Sequence, residues 1–359
     1  MTREDVALHP EHMVPDDADL KRMLVYRTAG TTGHAILVPH HARAVASYQP
    51  MMEHVLRRYG IRPRFTAQSV ACFLICSQRQ TVTWAATLSY WKGAGFAKVN
   101  LNPSEWPTKE SPQKYISELA PQFLTGDPFS YSDLLRLEVP VRPSAMFTTA
   151  VAMRPGLKRR LVEQFACPII DWFSLIETGP IGYACPQGDA YHIMPHDIHV
   201  EVLDENEHPV PPGVRGEITV TGGRNPCLPL IRYRTRDWGT LDFTPCSCGD
   251  PMPRIIGLEG RTPMNFRTAD GSLVNSADLS RILREFPLVQ HEFRQKADLT
   301  CEITIRPITS VAVDEEQIRT ALQKALGNLP IELRQDPELG NELHTGKVIS
   351  YQSELMVND

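Results

Sequence analysis

The sequence predicts an α/β protein: a large N-terminal domain of mixed and parallel sheets carrying a β-rich lobe, then a small mobile α+β C-terminal domain. Three observations predict it. Through the first half of the chain, apolar runs of strand length alternate with stretches of helical spacing, the pattern of parallel strands joined by crossover helices. From about Asp197 the texture changes to short alternating strands separated by Pro and Gly, which reads as the β-rich lobe. The length of 359 residues also exceeds what one hydrophobic core usually serves. The expected domains are 1–261, with the lobe at about 197–258, and 262–359.

Taken in order, residues 24–27 and 35–38 read as strands around the small, hydroxyl-rich segment 28–34. Residues 43–58 have helical spacing and end at Gly60, a natural C-cap. A continuous apolar run at 69–76 is a buried strand. The spacing predicts a helix over 83–93, then strands at 98–101 and 123–125, a basic helix at 156–165 and a strand at 168–172. In the lobe, 199–203, 216–221, 230–233 and 240–243 read as separate short strands, with Pro211-Pro212-Gly213 as a turn. Beyond 261, a helix at 279–286 opened by Asn275 or Ser276, a strand at 300–305, a helix at 315–326 and a strand at 331–334 make the small α+β domain.

Composition narrows the function classes. A net charge of −5 argues against a nucleic-acid or anionic-membrane surface, which needs a basic excess. The start, Met1-Thr2-Arg3-Glu4-Asp5, has no apolar segment of a signal peptide, and no stretch approaches the ~18 apolar residues of a membrane span. A cytoplasmic protein acting on a small molecule is expected. The eight cysteines are then to be tested as metal ligands before disulfides. Cys185 and His192 flank a tight turn, and Cys246 and Cys248 follow as Cys-x-Cys; three thiols and one imidazole are the usual closed tetrahedral set of structural Zn²⁺. Free thiols beside an ordinary turn histidine are the alternative.

The segment Thr28-Ala29-Gly30-Thr31-Thr32-Gly33-His34 can bring bare backbone N–H groups and short hydroxyls close to phosphate oxygens. It lacks the Walker spacing and is followed by a strand, so by itself it reads more readily as a tight hairpin. Further motifs follow it: Phe173-Ser174-Leu175-Ile176-Glu177, Gly216-Glu217-Ile218-Thr219-Val220, Tyr233-Arg234-Thr235-Arg236-Asp237, Gly260-Arg261 and Gly346-Lys347. In this order the series resembles the adenylate-forming superfamily of acyl-CoA synthetases, adenylation domains and luciferases. Leu124-Thr125-Gly126-Asp127-Pro128, Asp171-Trp172-Phe173 and the Cys/His set are most similar to phenylacetate–CoA ligase and its shorter relatives.

The resemblance implies that ATP and a carboxylic acid give an acyl-adenylate and pyrophosphate. Two anions meet in that reaction, so cations and hydrogen-bond donors must offset their repulsion. It assigns Thr28, Gly30, Thr31, Thr32, Gly33 and His34 to the ATP phosphates, Phe173 to adenine, Asp237 to the ribose hydroxyls and Arg261 to the ribose or α-phosphate. Glu177 would hold Mg²⁺, Thr178 would supply a phosphate contact, and Lys347 would bridge the carboxylate and the α-phosphate. CoA would accept the acyl group, with an amine, a carrier thiol or a catalytically silent nucleotide-binding protein as alternatives. The partner expected is a small carboxylic acid, with a homodimer left open. Trp84, Tyr90, Trp91 and Phe96 would favour an aromatic acid, unless they pack one helix in the core.

Departures from the family pattern qualify these roles. His34 stands for the usual lysine, Ser174 for glycine and Ile176 for a hydroxyl residue. Pro263 stands at the hinge, where proline fixes φ near −65°. With 27 residues ahead of the loop, most of the family's N-terminal helical region is expected to be missing.

Overall fold

The computed structural model describes residues 1–27, 36–78, 81–260, 264–340 and 350–355. The phosphate-loop residues Thr28, Gly30, Thr31, Thr32, Gly33 and His34, together with Arg261, Pro263 and Lys347, lie outside them. The chain forms two compact units from interleaved segments: Met1–Gln68, Leu88–Ala94 and Ile170–Thr262 make the first, and Ser69–Thr87, Gly95–Ile169 and Pro263–Asp359 the second.

In the first unit the hairpin strands Met23–Arg27 and Leu37–His41 pair antiparallel, as their flanking positions predict. The helix Tyr48–Arg58 follows and Gly60 closes it at φ +74°, a conformation that suits a residue without Cβ. The strands Ile169–Leu175, Gly179–Ala184, Tyr191–Ile193, Ile198–Leu203, Arg215–Gly222, Leu230–Asp242 and Arg254–Gly260 are joined in antiparallel pairs. Their inner face is a core of Phe173, Ile181, Val200, Ile218, Val220 and Ile255. Among the described residues, the parallel pairs that the alternating pattern implies lie in the second unit.

There, Val70–Cys76, Ala94–Asn100, Phe123–Gly126 and Ala145–Thr148 pair in parallel. The helices Pro128–Arg136 and Pro155–Phe165 contribute to their core through Phe129, Leu134, Leu157 and Leu161. Asp127 caps the first of these helices, accepting from Phe129 N and Ser130 N at 2.9 Å each, with Pro128 at the first helical position. The C-terminal segment of this unit adds a four-stranded sheet and the helices Ser276–Arg284 and Glu315–Leu326 around Phe266, Leu279, Phe293, Ile303 and Leu322. Asn275 accepts from Asp278 N at 2.9 Å, the cap its sequence position suggests. A buried ion pair, Arg306 Nη2 to Asp133 Oδ1 at 3.0 Å, joins the strand Cys301–Pro307 to the helix Pro128–Arg136.

Two expected elements are corrected. Residues 83–93 are not a helix but the strand Trp84–Leu88 and a short 3-10 turn, Ser89–Trp91. Thr81, Val82, Thr83, Trp84 and Thr87 are β-branched or aromatic, and their strand preference outweighs the helical spacing. The four aromatics consequently do not share a helix face. Trp84 rests on Phe96 in the second unit, whereas Trp91 stacks on Phe65 in the first and donates its indole N–H to Glu53 Oε1 at 3.1 Å. The lobe strands 230–233 and 240–243 are likewise one strand, Leu230–Asp242, that keeps its course through register shifts. Among the described residues, no helix is long and apolar enough to cross a membrane.

Candidate functional site

The candidate site is built within the first unit around the turn after the strand Ile169–Leu175. Glu177 and Thr178 sit on that turn, and the next strand begins at Gly179. Glu177 is 2% exposed, too dry for a carboxylate without partners. Its Oε1 accepts from Arg3 Nη1 at 2.7 Å and from the Tyr233 hydroxyl at 3.2 Å. Burial, then the Glu177 charge, push the Tyr233 phenol up, so it stays a donor. His40, on the second hairpin strand, is buried nearby, and among the described residues neither ring nitrogen makes a hydrogen bond of ordinary geometry. Burial lowers its pKa, against the opposing Ile176 backbone and the Glu177 charge, which favours a neutral ring. Thr178 is buried and donates its hydroxyl proton to Gly179 O at 2.7 Å. Ile176 points outward, 41% exposed.

The strand Leu230–Asp242 brings Tyr233 and Asp237 to the same part of the unit, and the reason lies in Glu217. Its buried carboxylate takes Arg234 Nε at 2.8 Å and the Arg236 backbone N–H at 3.0 Å. That holds Arg236 at φ +64°, left-handed for a residue with a side chain, at the break in register between Arg215–Gly222 and its neighbour. Asp237 follows, its N–H donated to Thr235 Oγ1 at 3.0 Å and its Cα paired with Gly260. A Cβ on Gly260 would lie 3.4 Å from Asp237 Oδ1, so glycine keeps the approach open. Gly216 is demanded more strongly, since a Cβ there would stand 2.4 Å from Leu203 O. The Gly-Glu and Tyr-Arg-Thr-Arg-Asp motifs are thus one structural device, each completing the other.

Phe173 lies in the core of the lobe, edge-on to Tyr191 with ring centres 6.4 Å apart. Of the predicted nucleotide and catalytic residues, the described ones Phe173, Glu177, Thr178 and Asp237 all fall in this unit. Arg3 and His40 escaped the sequence reading. Arg3 is 174 residues from Glu177, and nothing local in the charged opening segment marks it.

The Cys/His set is also brought together. Ligand atoms of Cys185, His192, Cys246 and Cys248 all lie within 4.8 Å of one another. Cys185 Sγ and Cys246 Sγ are 3.6 Å apart, and His192 Nε2 is 3.1 Å from Cys248 Sγ. The thiol pair is too far apart for a disulfide and close to the ~3.7 Å edge of a tetrahedron built on zinc–sulfur bonds. His192 Nδ1 lies 3.1 Å from Met252 O, which as a donor leaves Nε2 free to face the thiols. Burial opposes ionisation of Cys246, but hydrogen bonds from the Cys248 backbone and from the Cys248, Cys185 and His192 side chains bring it down to about 6. The donor set and spacing fit a closed Zn²⁺ site.

Residues 3–225 match the AMP-binding enzyme family. The chain belongs to that family. The matched span includes both hairpin strands, the Glu177 turn and the Gly216-Glu217 strand of this AMP-binding enzyme. No curated protein matches the sequence. Solved structures share its fold: a 2-hydroxyisobutyryl-CoA ligase in the postadenylation state has a TM-score of 0.69 at 17% identity, over 99% of this chain and 79% of the other. An anthranilate CoA ligase, AuaEII, in complex with anthranoyl-AMP gives 0.57 at 14% identity, over 90% and 65%. ATP-bound MatB from Rhodopseudomonas palustris gives 0.57 at 16% identity, over 88% and 64%. The mixed-sheet architecture is that of adenylate-forming enzymes.

Proposed function

We propose that this AMP-binding enzyme activates an aromatic carboxylic acid as its acyl-adenylate and passes the acyl group to CoA, as a phenylacetate–CoA ligase-like protein. The observation that carries the proposal is the joint placement of Glu177, Tyr233 and Asp237 by two motifs that lie far apart in sequence. Support for the CoA step comes from the solved CoA ligases that share the fold, including one holding an aromatic adenylate.

In this reading Asp237 accepts hydrogen bonds from the ribose hydroxyls and Phe173 faces adenine. The loop Thr28, Gly30, Thr31, Thr32, Gly33 and His34 holds phosphate oxygens, and Thr178 adds a phosphate contact. Arg261 contacts the ribose or α-phosphate. Lys347 bridges carboxylate and α-phosphate once the segment 262–359 has moved, as a separate small domain, about the hinge near Pro263. Mg²⁺ would be held by Glu177, whose Oε1 here is engaged by Arg3 and Tyr233, and would supply charge neutralisation of the phosphates. Zn²⁺ fits Cys185, His192, Cys246 and Cys248, and with no open position its role is to pin the lobe.

Pyrophosphate exchange against a panel of carboxylic acids tests the first half-reaction, with exchange expected for aryl acids above aliphatic ones. ATP binding with no exchange for any acid would refute it. Incubation with ATP, the best acid and CoA, read by mass spectrometry, tests the second half; an adenylate that accumulates without thioester would point to another acceptor.

A further inference from the structure

His192 makes the strictest demand of the Cys/His set, because its ring is 0% exposed and solvent cannot steer it. Its Nε2 faces the Cys248 thiol at 3.1 Å, so the ring has to be held by its other edge and by its faces. The edge is met by Met252 O, 3.1 Å from Nδ1. A face is met by Tyr183, the cross-strand partner of His192 on the strand Gly179–Ala184. The Tyr183 ring lies tilted against the imidazole, with ring centres 5.7 Å apart.

Both holders are tied to one side chain outside the ligand set. The Met252 N–H donates to Asp250 Oδ1 at 2.9 Å, and the Tyr183 hydroxyl donates to Asp250 Oδ2. The Asp250 side chain is 1% exposed, and a carboxylate that dry needs a counter-charge. Arg58, at the end of the helix Tyr48–Arg58, supplies it, with Nε 3.1 Å from Oδ2. Asp250 Oδ1 also lies 4.0 Å from His192 Nδ1, which favours the proton on that nitrogen and a lone pair on Nε2. Asp250 follows Cys248 by two residues, across Gly249 at φ +78°, so it anchors the Cys-x-Cys turn as well. All of these groups belong to the first unit. An aspartate turn and a buried ion pair can serve packing alone. Here, however, the two carboxylate oxygens go to the two groups that touch the imidazole.

We propose that Asp250 is the positioning residue of the metal site. Its carboxylate fixes Met252 O at the edge of His192 and Tyr183 at its face, and so aims Nε2 at a metal ion shared with Cys185, Cys246 and Cys248. The proposal rests on these four residues binding Zn²⁺, as proposed above. Replacing Asp250 loosens the imidazole while all four ligands remain in the chain.

The test uses the full chain, with Zn²⁺ affinity measured by competition with a chromophoric chelator and Co²⁺ as a spectroscopic probe of ligand geometry. Asp250→Ala should weaken Zn²⁺ binding about 10–100-fold, the usual cost of losing such a support, and shift the visible absorption bands of bound Co²⁺. Asp250→Asn keeps a carbonyl oxygen for the Met252 N–H and should recover part of that loss. Tyr183→Phe keeps the ring and removes only the hydroxyl, so its affinity should fall between those of wild type and Asp250→Ala. A packing role alone would lower the melting temperature of the metal-free protein and leave the affinity and the Co²⁺ bands as they are. Wild-type affinity and Co²⁺ bands in the Asp250 variants, or in Tyr183→Phe where those do not fold, would overturn the positioning role alone. Cys248→Ser binding Zn²⁺ as tightly as wild type would overturn the metal site and the positioning role with it.

Discussion

Replacing Glu217 separates two things its carboxylate does, and their sizes can be worked from its contacts. Oε1 accepts the Arg236 backbone N–H at 3.0 Å, and Oε2 accepts the Arg234 guanidinium, with Nε at 2.8 Å. In Glu217→Ala the Arg236 N–H loses its acceptor beside a left-handed residue, a loss of about 1–3 kcal/mol for a buried donor left unmade. Arg234 loses less, since it is 28% exposed and keeps Glu207 at 3.0 Å; about 1 kcal/mol is reasonable there. The sum is about 2–4 kcal/mol. Glu217→Gln keeps an amide oxygen for the N–H and forfeits mainly the charge, so about 1 kcal/mol is expected. Urea unfolding followed by circular dichroism measures both, and ATP affinity by calorimetry should fall further for alanine than for glutamine because Asp237 follows the strained residue. Equal losses for the two variants, or a loss under about 0.5 kcal/mol for alanine, would refute the claim that this carboxylate shapes the strand.

Two other outcomes follow from the same geometry. Purified protein should carry about one equivalent of zinc by elemental analysis, and Cys248→Ser should lower both the zinc content and the melting temperature; zinc-free wild-type protein with an unchanged melting curve after chelation would remove the site. His291 is buried, and burial followed by the Arg154 charge lowers its pKa well below the ordinary value, so the folded state holds it neutral while the unfolded chain protonates below about 6.5. Stability should then be level above that pH and fall as pH drops below it, and His291→Leu should make the fall shallower by about one proton's worth in unfolding titrations between pH 7 and 5. An unchanged slope in that variant would refute this.

What the sequence revealed, and what it withheld, divides along local versus distant causes. The Asn275 cap, the Gly60 terminus, the parallel strands at 70–76 and 123–126 and the hairpin around residues 28–34 are visible because each is set by neighbours within a few positions. The Cys/His set is visible because its chemistry is rare, even with the members spread over 64 positions from Cys185 to Cys248. The helix Pro128–Arg136 gave no periodic signal, because residues 128–135 are all buried and leave no polar face. The strand Leu230–Asp242 read as two because Arg232 and Arg236 adopt left-handed φ, a choice made by partners on another strand. Arg3 was invisible for the same reason: an arginine in a charged opening segment has no local mark that separates a solvated side chain from a buried counter-ion.

The site is best understood through its two buried glutamates, which the same strand serves differently. Glu217 is closed by Arg234, a residue on the paired strand itself, through both Nε and Nη2 and with a backbone N–H added. Such a cluster holds geometry, and its partner cannot leave without the strand. Glu177 is met by Tyr233 from that strand but neutralised by Arg3 from a six-residue helix, through one nitrogen. Among the described residues, Arg3 is the one cation on the Glu177 carboxylate, in an otherwise dry place. That contrast, a carboxylate tied twice within its own sheet against one met from a separate helix, is the physical ground for proposing Glu217 as scaffold and Glu177 as the chemical group.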